Sequence, residues 1–283
     1  MLFDSHTHSS FSPDADRAAD MEKMPLTARE YGLDYITVTD HCDCNYWLPE
    51  SEKDYKEYPK EDSIMFGCRD YALPSIKKAL ALKAGCDNFL CGIELGQPLQ
   101  NKQAAEQILS TEGLDLVIGS LHMNAGKADF YYLQYNKMDI SEIYTLLDDY
   151  FSELLEMCKT VPFDSLGHLT YPLRYIVGEY GITLDMSRFD NKIRDIFCTL
   201  IRSGKALEIN TSGYRQKYGR PFPDAQYLKL YRSLGGELIT IGSDAHKLSD
   251  IGAGIKDGCE LLREFGFEYV TLFKDRKPQN YKL

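Results

Sequence analysis

The chain has 283 residues, 43% of them hydrophobic and 27% charged, enough apolar mass for a large core and too balanced a composition for a disordered or fibrous protein. A formal net charge of -11 argues against a general nucleic-acid binder, because a phosphate backbone calls for a basic surface. No apolar run approaches the roughly 18 to 20 residues that cross a bilayer, and the N-terminus carries neither the basic nor the apolar region of a secretory leader, so a cytosolic protein with no membrane or nucleic-acid partner is expected.

In chain order, short β-rich runs fall at residues 2–4, 35–39, 89–93, 116–120, 163–166, 206–209 and 238–241. Between them lie stretches with helical periodicity at 25–31, 75–84, 140–158, 187–203 and 224–234, and Gly32, Gly85, Gly204 and Gly235 stand at the stops expected of four of these helices. In the stretch 187–203, Phe189, Ile193, Ile196, Phe197, Leu200 and Ile201 share one face. Strand and helix in alternation predict parallel strands joined by right-handed crossovers, and seven such strands make a barrel-sized set. No linker, low-complexity tract or repeat divides the chain, so residues 1–283 are expected to form a single domain. Two long irregular stretches, 45–69 and 123–139, follow strand ends and are expected around the mouth of a site.

The eight cysteines form no CxxC pair, and most are flanked by apolar residues, so buried free thiols are expected. The six histidines behave differently. His6, His8, His41, His122, His168 and His246 all fall at or just past the C-terminal end of a proposed strand. In a parallel barrel those ends open on one face, where catalytic residues gather. In His6-Thr7-His8 the two imidazoles of an extended chain point to the same side, as two ligands of one metal must, and Asp244-Ala245-His246 repeats that spacing. Asp40 and His41 are neighbours that point to opposite sides. His41 is taken as the ligand, and Asp40 as the carboxylate behind it that orients the imidazole. Glu94 offers a carboxylate able to bridge two cations.

The series His6-Thr7-His8, Thr39-Asp40-His41, Gly92-Ile93-Glu94, Ser120-Leu121-His122, Gly167-His168 and Ser243-Asp244-Ala245-His246 resembles the motif set of the PHP (polymerase and histidinol phosphatase) superfamily over nearly the whole chain. The resemblance implies a distorted (β/α)7 barrel, TIM-barrel-like, with a trinuclear metal centre. Carried over by motif, it implies one metal on His6, His8, Glu94 and Asp244, a second on Glu94, His122 and His168, and a third on His41, His246 and Asp14, where the family commonly has histidine. Asp14 can also be read as the N-cap of a helix starting at Ala15. Mixed imidazole and carboxylate ligands leave zinc, manganese and iron as alternatives for the two to three divalent ions.

The segment from Leu207 to Arg215, LEINTSGYR, and Gly167-His168-Leu169 followed by Arg174 resemble segments of PHP-type histidinol-phosphate phosphatases, in which such arginines contact the substrate phosphate. The guanidinium fork suits that role, since it matches phosphate oxygens two at a time. The resemblance thus implies a phosphomonoesterase acting on a small substrate, L-histidinol phosphate, with Arg174 and Arg215 on the phosphate. Asp244, or Asp40 acting behind His41, is the group expected to protonate the leaving oxygen. The alternatives are another PHP phosphoesterase, a nuclease or protein-tyrosine phosphatase, and a non-catalytic PHP-like metal-binding module.

Overall fold

The computed structural model describes residues 1–44 and 68–283, so most of the stretch 45–69 lies outside the described residues. Runs such as Phe3–Thr7 (β1) and Leu116–Ser120 (β5) are buried at every position, as strands covered on both faces must be. The other strands of the main sheet are β2 (Tyr35–Val38), β3 (His41–Asp43), β4 (Phe89–Gly96), β6 (Ser165–Leu166), β7 (Ala206–Asn210) and β8 (Ile239–Gly242). All pair in parallel, in the order β1-β2-β4-β5-β6-β7-β8. The chain beyond β8 then returns to β1. Thr7 bridges Ala245, the His8 amide donates to Ala245 O (2.8 Å) and the Asp244 amide to His6 O (2.7 Å), which nearly closes the sheet into a barrel.

The seven barrel strands are those expected, with one refinement. β3 pairs with the second half of β4 (His41 beside Glu94) while β2 pairs with the first half (Ile36 beside Phe89). β2 and β3 are therefore one strand interrupted at Thr39 and Asp40, and the interruption turns His41 toward Glu94.

Helices cover the barrel: α1 (Met24–Glu30), α2 (Cys68–Lys83), α3 (Lys102–Leu109), α4 (Ile140–Thr160), α5 (Asp190–Ser203), α6 (Ala225–Ser233) and α7 (Ile255–Glu264). Ile193, Ile196, Phe197 and Leu200 of α5 are buried as the periodicity predicts, with Ile201 half-buried and Phe189 just ahead of the helix, and Gly204 ends the helix at φ 65°, a conformation glycine adopts at no steric cost. Helices α3 and α7 were not expected. Each is short, and α3 announces itself mainly by Asn101, whose side chain accepts from the Ala104 amide.

A hairpin of β9 (Tyr269–Lys274) and β10 (Lys277–Lys282) follows the last expected strand. Its turn reaches the N-terminal ends of β5 and β6: the Asp275 amide donates to Asp115 Oδ1 (2.9 Å) and the Arg276 guanidinium pairs with Asp164. Phe273 joins Leu116, Ile118 and Ala206 in a small apolar cluster apart from the main core. The stretch 123–139 holds two turns of 3-10 helix, Phe130–Tyr132 and Tyr135–Lys137, anchored by buried Phe130 and Tyr135. Among the described residues no helix is long and apolar enough to cross a membrane.

Candidate metal centre

Parallel strands deliver their C-terminal ends to one face, and there the chain brings together His6, His8, Asp14, His41, Glu94, His122, His168, Asp244 and His246. Glu94 is the hub. Its Oε1 lies 2.8 Å from His168 Nε2 and 3.1 Å from His122 Nε2, while its Oε2 lies 2.8 Å from His41 Nδ1, 3.5 Å from His6 Nε2 and 3.6 Å from His8 Nε2. Asp244 Oδ1 approaches His8 Nε2 (3.3 Å), His246 Nδ1 (3.6 Å) and His6 Nε2 (3.7 Å). Asp244 sits at φ 54°, a left-handed conformation uncommon outside glycine and tolerated best by short polar residues. Asp14 faces His246 (3.1 Å) and His41 (3.4 Å), and no helix begins at Ala15, so the N-cap reading of Asp14 is set aside.

Imidazole nitrogens face each other in pairs, His6 with His8 at 3.2 Å, His122 with His168 at 3.4 Å and His41 with His246 at 3.5 Å. Among the described residues, four groups have ligand atoms within 4.8 Å of one another: His6, His8 and Asp244; His8, His41 and His246; Glu94, His122 and His168; His41, Asp43 and His122. The donor set fits divalent cations. Glu94 Oε2 is buried among the imidazoles of His41, His6 and His8, the surroundings of a carboxylate oxygen able to bind an ion, and His41 turns Nε2 toward Asp14 and His246.

The electrostatics agree. Burial opposes charge on Glu94, yet His122, His41 and His6 hold its carboxyl well below the usual range. Burial likewise disfavours imidazolium, but Glu94 and Asp43 raise His122 to about 10, and Asp14 and Glu94 raise His41 well above an ordinary histidine. Burial, with His246 and His41 beside it, lowers His8.

Three of the rings have support behind them that the sequence reading did not assign. Glu208 Oε1 lies 2.6 Å from His6 Nδ1, Asp43 Oδ1 lies 3.1 Å from His122 Nδ1, and Ser12 Oγ lies 3.0 Å from His8 Nδ1. The i, i+2 spacing of His41 and Asp43, the same as in His6-Thr7-His8, was the available signal for Asp43.

Asp40 has a different place from the one expected. Its carboxylate accepts from the hydroxyls of Ser9 (2.7 Å), Ser12 (2.8 Å) and Ser75 and from the Ser9 amide, and it does not touch the His41 ring. It acts on His8, through Ser12, and does not line the cavity, so a role in protonating a leaving group is set aside.

The cavity over the cluster is lined by Asp14, His41, Glu94, His122, Asp129, His168, Tyr171, Arg174, Asp244 and His246. Arg174 opens a turn of π-helix, Arg174–Glu179, a rare element that clusters at functional sites. Its Nη2 donates to Ser212 Oγ (2.9 Å) and Asp244 Oδ2 (3.2 Å), and its guanidinium lies 5.0 Å from the centre of the Tyr171 ring. Its buried Nε has no hydrogen-bond partner among the described residues. Arg215 was expected beside it and is not among the lining residues. Its guanidinium donates to Ser243 O (2.8 Å) and Asp244 O (3.4 Å), bracing the turn that carries Asp244. Asp129, from the irregular stretch 123–139, and Tyr171 line the wall without having been assigned a role.

A parallel barrel carrying carboxylate-linked histidine clusters at its C-terminal face defines a metallohydrolase-like architecture. The chain matches the PHP domain over residues 4–212 and belongs to that family. It is 28% identical over 272 residues to a probable histidinol-phosphatase of Thermotoga maritima, covering 96% of this chain and 95% of that protein. It is 27% identical over 292 residues to the histidinol-phosphatase of Lactococcus lactis, covering 99% and 97%. The fold matches that of the Lactococcus lactis histidinol phosphate phosphatase, solved with zinc, L-histidinol and phosphate, with a TM-score of 0.75, 24% identity and 98% of each chain covered.

Proposed function

We propose that the chain is a metal-dependent phosphomonoesterase whose substrate is L-histidinol phosphate, released as L-histidinol and phosphate, and that residues 1–283 serve as one catalytic unit. One observation carries the reading. The same cavity holds the cation-fitting cluster around Glu94 and, beside it, a half-buried arginine whose Nε–H has no hydrogen-bond partner among the described residues, a combination suited to a phosphoryl group. The histidinol-phosphatase relatives, similar over nearly their full lengths, support the particular substrate.

In this reading His6, His8, Glu94 and Asp244 hold one ion, Glu94, His122 and His168 a second, and His41, His246 and Asp14 a third, with zinc, manganese and iron as candidates. Divalent ions held there would supply Lewis acidity and water activation for attack on phosphorus. The chain's own groups do the rest. Arg174 fixes the phosphoryl oxygens through Nε and balances the charge that shifts between them in the transition state. Burial opposes the Asp244 charge, but His6, His8, His246 and Arg174 hold its carboxyl well below the usual range, so it stands ionised. Its Oδ2, turned toward Arg174, can take the proton of the attacking water and pass it to the leaving alkoxide. Asp129 and Tyr171 give the wall an acidic and aromatic character suited to a cationic amine and an imidazole.

The test is kcat/KM for histidinol phosphate, p-nitrophenyl phosphate, a phosphotyrosine peptide and a short oligonucleotide, on protein reconstituted with zinc, manganese or iron. Histidinol phosphate is expected to lead by at least tenfold. A clear preference for the peptide or oligonucleotide would overturn the substrate, and hydrolysis of none with any metal would overturn the phosphoesterase.

A further inference from the structure

We infer that Glu208 is a positioning residue that ties two of the proposed metal sites together, a role resting on the metal-centre reading above. Glu208 is 1% exposed and sits in mid-strand on β7, its carboxylate directed into the barrel between the ends of β1 and β6. Oε1 lies 2.6 Å from His6 Nδ1. A carboxylate can only accept there, so Nδ1 carries the hydrogen and His6 Nε2 presents its lone pair toward His8, Glu94 and Asp244. Oε2 accepts the His168 backbone amide at 2.8 Å, which fixes the end of the two-residue strand β6 where His168 Nε2 meets Glu94 Oε1 at 2.8 Å. Asn210 Nδ2, at 3.2 Å from Oε2, holds the carboxylate in turn.

The neighbouring strand is shaped to admit this pair. A Cβ on Gly242 of β8 would collide with His6 Cβ and come within 2.9 Å of Glu208 Oε1, so only a glycine lets β8 close over the His6–Glu208 contact. One carboxylate therefore sets the tautomer of a ligand in the His6, His8, Asp244 group and the backbone position of a ligand in the Glu94, His122, His168 group. Asp43 reaches the ring of His122, and Ser12 reaches the ring of His8 while accepting the His41 amide at 3.1 Å. Partners of this kind typically contribute ten- to a hundredfold in metal affinity.

The test compares wild-type, Glu208→Gln and Glu208→Ala full-length protein by competition with a chromophoric zinc chelator, with stoichiometry from elemental analysis and folding checked by circular dichroism. A glutamine carbonyl can accept from His6 or from His168 but not both. Glu208→Gln is therefore expected to weaken zinc retention about tenfold, and Glu208→Ala about a hundredfold with loss in more than one site. Wild-type affinity and stoichiometry in a folded Glu208→Gln protein overturn the inference, and so does loss confined to one ion in Glu208→Ala. A second measurement needs no variant: in zinc-loaded wild-type protein, nitrogen NMR of His6 is expected to show a protonated Nδ1 and a zinc-bound Nε2, and a deprotonated Nδ1 overturns the inference. If wild-type protein binds no zinc at all, the metal-centre reading falls as well, which separates the two failures.

Discussion

At the scale of single residues, the two arginines that look alike in the sequence have different surroundings. Arg174 lines the cavity with a buried N–H unsatisfied, whereas Arg215 spends its guanidinium on the carbonyls of Ser243 and Asp244. Arg174→Ala is therefore expected to lower kcat/KM for a phosphomonoester about a hundredfold, equivalent to roughly 2.7 kcal/mol of transition-state stabilisation. Arg215→Ala acts only through the backbone that carries Asp244 and is expected to cost about tenfold, the worth of one well-made hydrogen bond. Steady-state kinetics on the two variants decide between these roles, and a larger loss for Arg215→Ala would return Arg215 to the phosphate. The sequence put both arginines at strand ends, but which one turned inward depended on the π-helical turn at Arg174, for which periodicity gives no sign.

Among elements, the C-terminal hairpin is the least foreseen and the most separate from the chemistry. Its Arg276 pairs with Asp164, whose Oδ2 also accepts the Val117 amide (2.7 Å), so the contact ties β9 and β10 to the entry of β5 and β6. Asp164 is nearly buried, and truncating its partner leaves a carboxylate short of neighbours. Arg276→Ala is expected to destabilise the fold by about 2 kcal/mol and lower Tm by about 4 to 8 °C. Turnover per metal-loaded site should be unchanged, because the hairpin contacts the end of the barrel opposite the histidines. Thermal melts and active-site-normalised rates check the two halves of that expectation; a rate loss with an unchanged Tm would contradict it. The helices read most readily, α4 and α5, are long and amphipathic; α3 and α7 bury small residues such as Ala104, Ala105, Gly258 and Cys259, which give a weak apolar stripe, and the split between β2 and β3 is too short for a periodic signal.

For the molecule as a whole, the cluster couples metal binding to protons and so to stability. Burial disfavours the charged form of His122, but Glu94 and Asp43 raise it to about 10, above the ordinary value of 6.5, and His41 moves in the same direction. A raised histidine pKa stabilises the metal-free fold fully below the unfolded value, and that contribution disappears as pH rises through the folded one. Metal-free protein is therefore expected to lose Tm as pH climbs from about 6.5 to 10. Metal affinity should move the opposite way, since each imidazole must shed its proton to become a ligand, and uptake should release protons into a weakly buffered solution. Calorimetric melts of chelated and zinc-loaded protein across this range, with proton release recorded on zinc addition, test the linkage; parallel slopes would rule it out.

The sequence alone determined the alternation of parallel strands and helices, the seven-strand barrel, and the gathering of His6, His8, His41, His122, His168 and His246 at one end. These follow from local periodicity and from the rule that parallel strands share a direction, both written in consecutive residues. Only the tertiary structure decided that Glu94 faces histidines with both oxygens, that Asp40 serves His8 through Ser12 and does not touch the His41 ring, that Arg215 faces backbone, and that Glu208 stands between His6 and His168. Those outcomes depend on which side chains from distant strands meet in the barrel interior. Strand register, the break at Thr39 and Asp40, and the close approach allowed by Gly242 set those meetings, and no local pattern encodes them.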